Sequence, residues 1–427
     1  MAGGATPKAE EHEKYYADAD SGVPFVRVQN LSVSGELDLS DVKYINVETH
    51  DGLLARSRVE ADDLLVKITG VGRMAVSSVP PLGFEGNINQ HIARIKTDSR
   101  LVSEVLAAYL NTDVGETLAK RRSTGGTRPA LDYGALRSIP VIYDEAILPA
   151  VTAAFDCYKQ ALKLAATKLG EIDTYLLTEL GITLTPEPEN TLASRIFTSQ
   201  RRELAGWRFD PLFHSFKLWH AIEQATVPHK KLGVCCHTMK TGFAAGGDMQ
   251  LFDDAGVIQL RPTNINTNRE WAFEKNIYLS VALLEERPED IVQPGEVLFN
   301  NTNSQELVGK SVYMGIKGHP FFCSNHMTRI RTIDTELDPE YLTAILNIYQ
   351  RLKVFFSLCT NWNNQSGVNV ELLRQIPIPV PPMSMQIAIA KHIGETRQEA
   401  KRLRQQAEAE LDQAKRQIET LLLGGQP

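Results

Sequence analysis

Cysteine is scarce and unpaired in this chain of 427 residues: Cys157, Cys235, Cys236, Cys323 and Cys359 are odd in number and scattered. No C-x-x-C spacing occurs, so neither a disulfide framework nor a structural zinc site is indicated, and the lone cluster Cys235-Cys236-His237 is not read as a metal site. Long apolar runs are missing as well. None approaches the roughly 20 residues that span a bilayer, and the opening MAGGATPKAEEHEK is polar, without the apolar centre of a signal peptide. A cytoplasmic protein away from the membrane is the expectation. Positive charge is not in excess: the net charge of −7 excludes a surface that is basic all over, though not a basic cleft. Catalytic signatures are also lacking. There is no G-x-x-x-x-G-K-[ST] phosphate loop, no Asn-Pro-Pro-aromatic tetrapeptide of the adenine methyltransferase kind and no acidic nuclease cluster. GVGRMA fits G-x-G-x-x-A, but it runs into VSSVPP, which cannot be the helix whose N-terminus would hold a pyrophosphate. No catalytic residue, metal or cofactor is therefore assigned.

What is present is ordinary globular composition, 43% hydrophobic and 23% charged, at a length that suggests two or three domains. It also contains a repeat. LRSIPV (136–141) returns as LRQIPIPV (373–380), an apolar phrase punctuated by proline that suits neither a helix nor a central strand. Gly22/Gly256, Val23/Val257, Arg27/Arg261 and Asn30/Asn264 all differ by 234. His91/His326 and Arg94/Arg329 differ by 235, LAAYLN (106–111) meets LTAILN (342–347) at 236, and the Ile-Pro phrases follow at 237. The offset creeps by single residues while the order never breaks, which is the mark of internal duplication with small loop changes.

Each copy leads into a helical segment. Leu148, Val151, Phe155, Tyr158, Leu162, Ala165, Leu169, Ile172 and Leu176 alternate in steps of three and four, a heptad seam. Ile393, Ala400, Leu403, Ala407, Leu411, Ala414, Ile418 and Leu421 make a similar stripe, with two successive steps of four that shift its register. Gly181 and Gly424 are suited to stop the two helices. At 1.5 Å per residue, about 35 residues form a rod on the order of 50 Å long, and two such rods in one chain most simply lie antiparallel. The Pro-rich TPEPENT (185–191) reads as a linker. Strand-like LLVKITG and EVLFNNT and helix-like LVSEVLAAYLN and EYLTAILNIYQRLKVFFSLC give each copy a mixed composition. The expected fold class is α+β in tandem duplicate, with two long antiparallel helices as a coiled-coil spacer. The expected domains are 1–143, 186–382 with its linker, and helices at 144–185 and 383–427.

The order of a "GDIL"-type step (DDLLVKITGVG, PGEVLFNNTNS), an Asn/Gln-His-x-x-Arg-Ile strand, a "YL" helix, a Gly/Ser loop, and L-R-x-I-P-I-P-V-P-P followed by Gln386 resembles the specificity subunit of Type I restriction-modification systems. The resemblance covers Gly22 to Gly424. It implies a non-catalytic DNA-recognition subunit in which two recognition domains read a bipartite, asymmetric target, each Ile-Pro phrase marking the exit into a spacer helix. The paired helices would dock two modification (methyltransferase) subunits, restriction subunits would join the full complex, and methyl donor and ATP would be bound by those partners. Two other readings stand beside it: a coiled-coil scaffold without DNA readout, and a specificity subunit of a related restriction or phage-defence system.

The residues that could touch DNA sit in loops. AKRRSTGGTRP (119–129) offers Lys120, Arg121, Arg122, Thr124 and Arg128 around glycines that let a phosphate backbone come close. TNWNNQSG (360–367) offers Asn361, Trp362, Asn363, Asn364 and Gln365, amides that can pair bidentately with adenine. The earlier loops KITGVGR and NNTNSQELVGK add Lys67, Thr69, Arg73, Asn300, Asn301, Asn303 and Lys310, and the strand-like HKKLGVCCHTMKTG adds Lys240 and Thr241. His91 and His326 are read as packed strand residues. About fifty residues lie between Gly206 and Gly256 but only twenty-one before Gly22, so the first copy is expected to lack its opening strand and loop, through an upstream start or a reduced domain.

Overall fold

The computed structural model describes residues 1–8, 11–184, 191–193, 196, 198, 221–222, 225–251, 255–362 and 365–424. Most of the expected linker at 185–191, the segment GWRFDPLFHSF, and Asn363 and Asn364 lie outside the described residues. The chain forms two compact units, Met1–Ala165 with Lys401–Pro427, and Ala166–Ala400. Among the described residues no helix is long and apolar enough to cross a membrane.

The first unit is built on a four-stranded antiparallel sheet in the order Ala2–Gly3, Ile92–Ile95, Leu64–Lys67, Ser77–Ser78. Leu64, Val66 and Ala93 lie in one core with Val105, Ala108 and Tyr109 of helix α1 (Arg100–Leu110). That helix starts where Ser99 caps the Val102 N–H, and it is followed by α2 (Asp113–Arg122), capped by Thr112. A second sheet contains the parallel pair Val23–Val26 and Glu85–Ile88, with Phe25 opposite Asn87 and Val26 opposite Ile88.

The second unit repeats this scheme. Its antiparallel sheet runs Cys236–Thr241, Met327–Thr332, Val297–Asn300, Ser311–Tyr313, and its parallel pair sets Gln259 opposite Phe322 and Leu260 opposite Cys323. The side-chain locks repeat too. In one unit Asn111 accepts from the Ser77 N–H and donates to the Ser77 carbonyl, at 2.9 and 2.8 Å. In the other Asn347 does the same with Ser311, at 3.0 and 2.9 Å. Asn30 and Asn264 each accept from an arginine N–H three residues earlier, Arg27 and Arg261, and each donates to the carbonyl eight residues on, at Asp38 and Ala272.

The opening strand of the first unit, expected to be missing, is in place. Ala2 and Gly3 pair with Arg94 and Ala93 as Lys240 and Thr241 pair with Arg329 and Thr328. The next residue is glycine in both units for one reason: a Cβ on Gly4 would lie 1.7 Å from the Ile88 carbonyl oxygen, and one on Gly242 would lie 2.1 Å from that of Cys323. The sequence hid this strand because it is only two residues long, against six in the second unit.

The duplicated Ile-Pro phrases have structural work to do. Ile139 and Ile376 are buried, while the Pro140 and Pro377 carbonyls accept the hydroxyls of Tyr109 and Tyr349. Pro377–Pro379 pairs with His229–Lys231 in a two-stranded sheet, where a proline is tolerated because only alternate N–H groups face the partner.

Helix α3 (Ile147–Glu179) and helix α5 (Met383–Leu422) each contribute to both units. In the first unit the start of α3 lies against the end of α5: Ile418 packs among Ile147, Leu148 and Val151, and the Cys157 thiol is 3.8 Å from the Glu410 carboxylate. In the second, the end of α3 lies against the start of α5: Leu176 shares a core with Ile389 and Ile393, and the Tyr175 and His392 rings are 4.1 Å apart. Within each unit the pairing is therefore antiparallel. Phe155, Ala165, Ile172 and Leu176 of one predicted seam and Ile393, Ala400, Ala407, Leu411 and Ile418 of the other are buried. Both helices stop at left-handed glycines, Gly181 at φ 64° and Gly424 at φ 75°.

Candidate nucleic-acid interface

The loops singled out in the second unit come together as a small sheet. Thr302–Asn303 pairs with Gln365–Gly367, which pairs in turn with Thr360–Trp362. Beside it opens a cleft of about 540 Å³ lined by Arg261, Lys275, Asn276, Asn303, His326 and Gln365 together with hydroxyl groups. Two cations and three amides line it, and no carboxylate does among the described residues. The fold holds two of these side chains and the backbone at His326. The Arg261 guanidinium is held on the Gln259 amide oxygen at 3.0 Å, and burial lowers its pKa. Asn276 is anchored to the Phe273 carbonyl at 2.8 Å, and the His326 carbonyl accepts from the Asn301 N–H at 3.0 Å. A concave, acid-free wall of donors and acceptors can take a phosphate backbone and the edge of a base together.

The first unit has the same scaffold with different side chains. Thr69 and Thr124 both bridge Ala130, as Thr302 and Thr360 both pair with Gly367. The Gly70 N–H donates to the Pro129 carbonyl, where Asn303 stands opposite Ser366. His91, the counterpart of His326, is central: its Nδ1 is 2.7 Å from the Thr69 hydroxyl and its Nε2 is 3.1 Å from the Arg128 guanidinium. Burial, and secondarily the Arg128 charge, lower the His91 pKa. At the position of Lys275 stands Asp41, which pairs with Arg27 at 3.3 Å.

The residues picked from sequence thus divide. Arg121, Thr124, Arg128 and Gln365 are exposed and Asn303 is half-buried, all on these loops. Lys120 is exposed but ion-paired with Glu116 at 2.8 Å, and Arg73 is held by Asp113 and Glu116 at 2.8 and 3.1 Å. Arg122 is spent on Ser138. Lys67, Lys310, Asn300 and Asn301 are buried: Lys67 donates to the Val71 carbonyl, Lys310 to Ile265, Asn300 to Leu307 and Asn301 to Asn325. Burial lowers the pKa of both lysines. These four shape the loops from beneath and present no charge to a ligand. Lys240 pairs with Asp290 at 2.8 Å, and Thr241 lies in the sheet opposite Thr328. Asn361 accepts from the Ser366 hydroxyl at 2.6 Å, and Trp362 lies in the hairpin strand. Arg261, Lys275, Asn276, His91 and His326 were not singled out as binding residues. The signal for three of them was the repeat, since Arg261 matches Arg27 and His326 matches His91.

Residues 255–413 match the family model for the Type I restriction modification DNA specificity domain. A putative type I restriction enzyme MjaX specificity subunit of Methanocaldococcus jannaschii is 31% identical over 104 residues, 24% of this chain and 24% of that protein. The chain thus matches about a quarter of the length of that curated relative. Among solved structures, one described as bearing on complex assembly and conformational transition of the type I R-M system aligns with 99% of this chain and 94% of its own, at 15% identity and a TM-score of 0.49. The HsdS subunit from Thermoanaerobacter tengcongensis aligns with 99% of this chain and 93% of its own, at 14% identity and a TM-score of 0.35. The Type-I restriction-modification S subunit from M. genitalium aligns with 99% and 91%, at 13% identity and a TM-score of 0.38. With TM-scores below 0.5, these likenesses leave the assignment to the sequence matches. Residues 255–413 are therefore similar to the DNA specificity domain of Type I restriction-modification systems, and part of the chain is similar to a putative specificity subunit of that kind.

Proposed function

We propose that the chain is the DNA-reading subunit of a Type I restriction-modification complex, recognising a bipartite, asymmetric target through its two matched units. The observation that carries this reading is the acid-free cleft of the second unit, with Arg261 and Lys275 beside Asn303, Gln365 and His326, on a scaffold that the first unit repeats. Cations hold phosphates and fix register, while amides and a guanidinium read base edges. The subunit is non-catalytic in this account, and methylation, ATP hydrolysis and cleavage belong to partner subunits. The exposed flanks of α3 and α5 are the proposed docking surface for two modification subunits, and restriction subunits complete the assembly. Methylation then requires the target base to be flipped into a partner's pocket, so these loops need only hold the flanking duplex.

The test is titration of the full chain, assembled with its modification subunits, against duplex DNA over a range of salt. Each phosphate neutralised contributes a slope of about −0.9 in log K against log salt. Steep salt dependence is expected, and Lys275→Ala is expected to reduce the slope by about one unit. Binding that is absent or indifferent to salt would overturn the reading.

A further inference from the structure

The two units build one scaffold and place different chemistry at one point on it. Counted back from the residue that bridges both neighbouring strands, Ala130 in the first unit and Gly367 in the second, the residue two positions earlier is Arg128 or Gln365. The match is fixed by backbone pairing on the same side of the loop, since Gly70 meets Pro129 where Asn303 meets Ser366. Both side chains are exposed, and both stand beside the equivalent histidine and threonine: Arg128 near His91 and Thr69, Gln365 in one cleft with His326 and Thr302.

We infer that this position is the base-reading residue of each unit, so that the first unit's half-site carries guanine where the second unit's carries adenine. The inference rests on the DNA-reading role proposed above. A guanidinium pairs bidentately with the O6 and N7 of guanine, and a glutamine amide with the N6 and N7 of adenine. Arg128 is prepared for this. One of its terminal N–H groups lies on His91 Nε2, which the Gln90 side-chain amide also contacts at 3.2 Å, the His91 ring is fixed on the Thr69 hydroxyl, and the Arg128 side chain is exposed. His91 must be neutral to accept from Arg128, and its lowered pKa agrees with that. His91 is a positioning residue and Arg128 the contact. Of the other cations, Lys120 is paired with Glu116 and Arg122 is bound to Ser138, while the exposed Arg121 lies in helix α2 and not on the stretch that leads into Ala130.

The experiment is selection of bound duplexes from a random pool by the full chain assembled with its modification subunits. It compares the wild type, R128Q, Q365R and the double exchange, with thermal melting to confirm that each variant folds. R128Q is expected to convert one guanine to adenine in one half-site and leave the other half-site as it was. Q365R is expected to make the reverse change in the other half-site, and the double exchange to show both. His91→Leu is expected to keep the guanine but lower its discrimination over adenine about 10- to 100-fold, the span of one bidentate contact. An unchanged motif at weaker affinity for R128Q would make Arg128 a backbone contact and overturn the inference, as would a change scattered over several positions. A wild-type complex that selects no motif would instead overturn the DNA-reading role itself.

Discussion

At the scale of single residues, the buried polar groups set the shape of the loops. Asn347 satisfies both backbone groups of Ser311 inside the sheet-helix core, so Asn347→Ala leaves a buried donor and acceptor without partners. Chemical denaturation is expected to show a loss of about 1–3 kcal/mol. Arg329 and Glu296, both nearly fully buried, form a bidentate pair at 2.9 and 3.0 Å, and Arg329 also donates to the Glu289 and Ile291 carbonyls. Arg329→Met strands the carboxylate, and the same measurement is expected to give a larger loss, about 3–5 kcal/mol. The Arg128 contact depends on the protonation of His91. Its folded pKa lies below the ordinary 6.5, so the folded state binds fewer protons there than the unfolded chain. The Arg128 contact is expected to be intact above that value and lost as the pH falls through the depressed one. An NMR titration of the His91 ring with a midpoint at or above 6.5 would contradict this. Lys67 and Lys310 show where the sequence falls short: it displays a charge but not the carbonyl that the ammonium reaches back to bond.

At the scale of elements, the long helices were the most legible feature, because a seam in steps of three and four is a local signal that packing does not disguise. Ala400 and Ala407 are buried on that seam, where a larger side chain has no free space. Ala400→Leu is expected to overpack the helix pair, with a loss of about 1–3 kcal/mol and an earlier thermal transition. The start of α5 is fastened by Gln386, which accepts from the Asp338 N–H and donates to the Glu336 and Pro381 carbonyls. Asp338 in turn caps helix α4 (Pro339–Arg351). The Ile-Pro phrase was legible as punctuation. Its carbonyls' bonds to buried tyrosines were not, since those partners lie 31 and 28 residues away in the chain. The opening strand Ala2–Gly3 was illegible for the opposite reason: two residues carry too little pattern.

For the whole molecule, duplication was legible because matched positions keep their order, and the paired backbone and side-chain bonds of the two units follow those same offsets. The cleft was less so. Its Arg261, Lys275 and Asn276 stand on a segment far in sequence from Asn303, His326 and Gln365, and only the fold brings them to one wall. The central claim is that two matched units read two unlike stretches of one duplex. Hydroxyl-radical footprinting of the full chain, assembled with its modification subunits on a selected duplex, tests it most directly. The account expects two protected tracts of different sequence, separated by an unprotected interval. A single continuous footprint, or none, would contradict it.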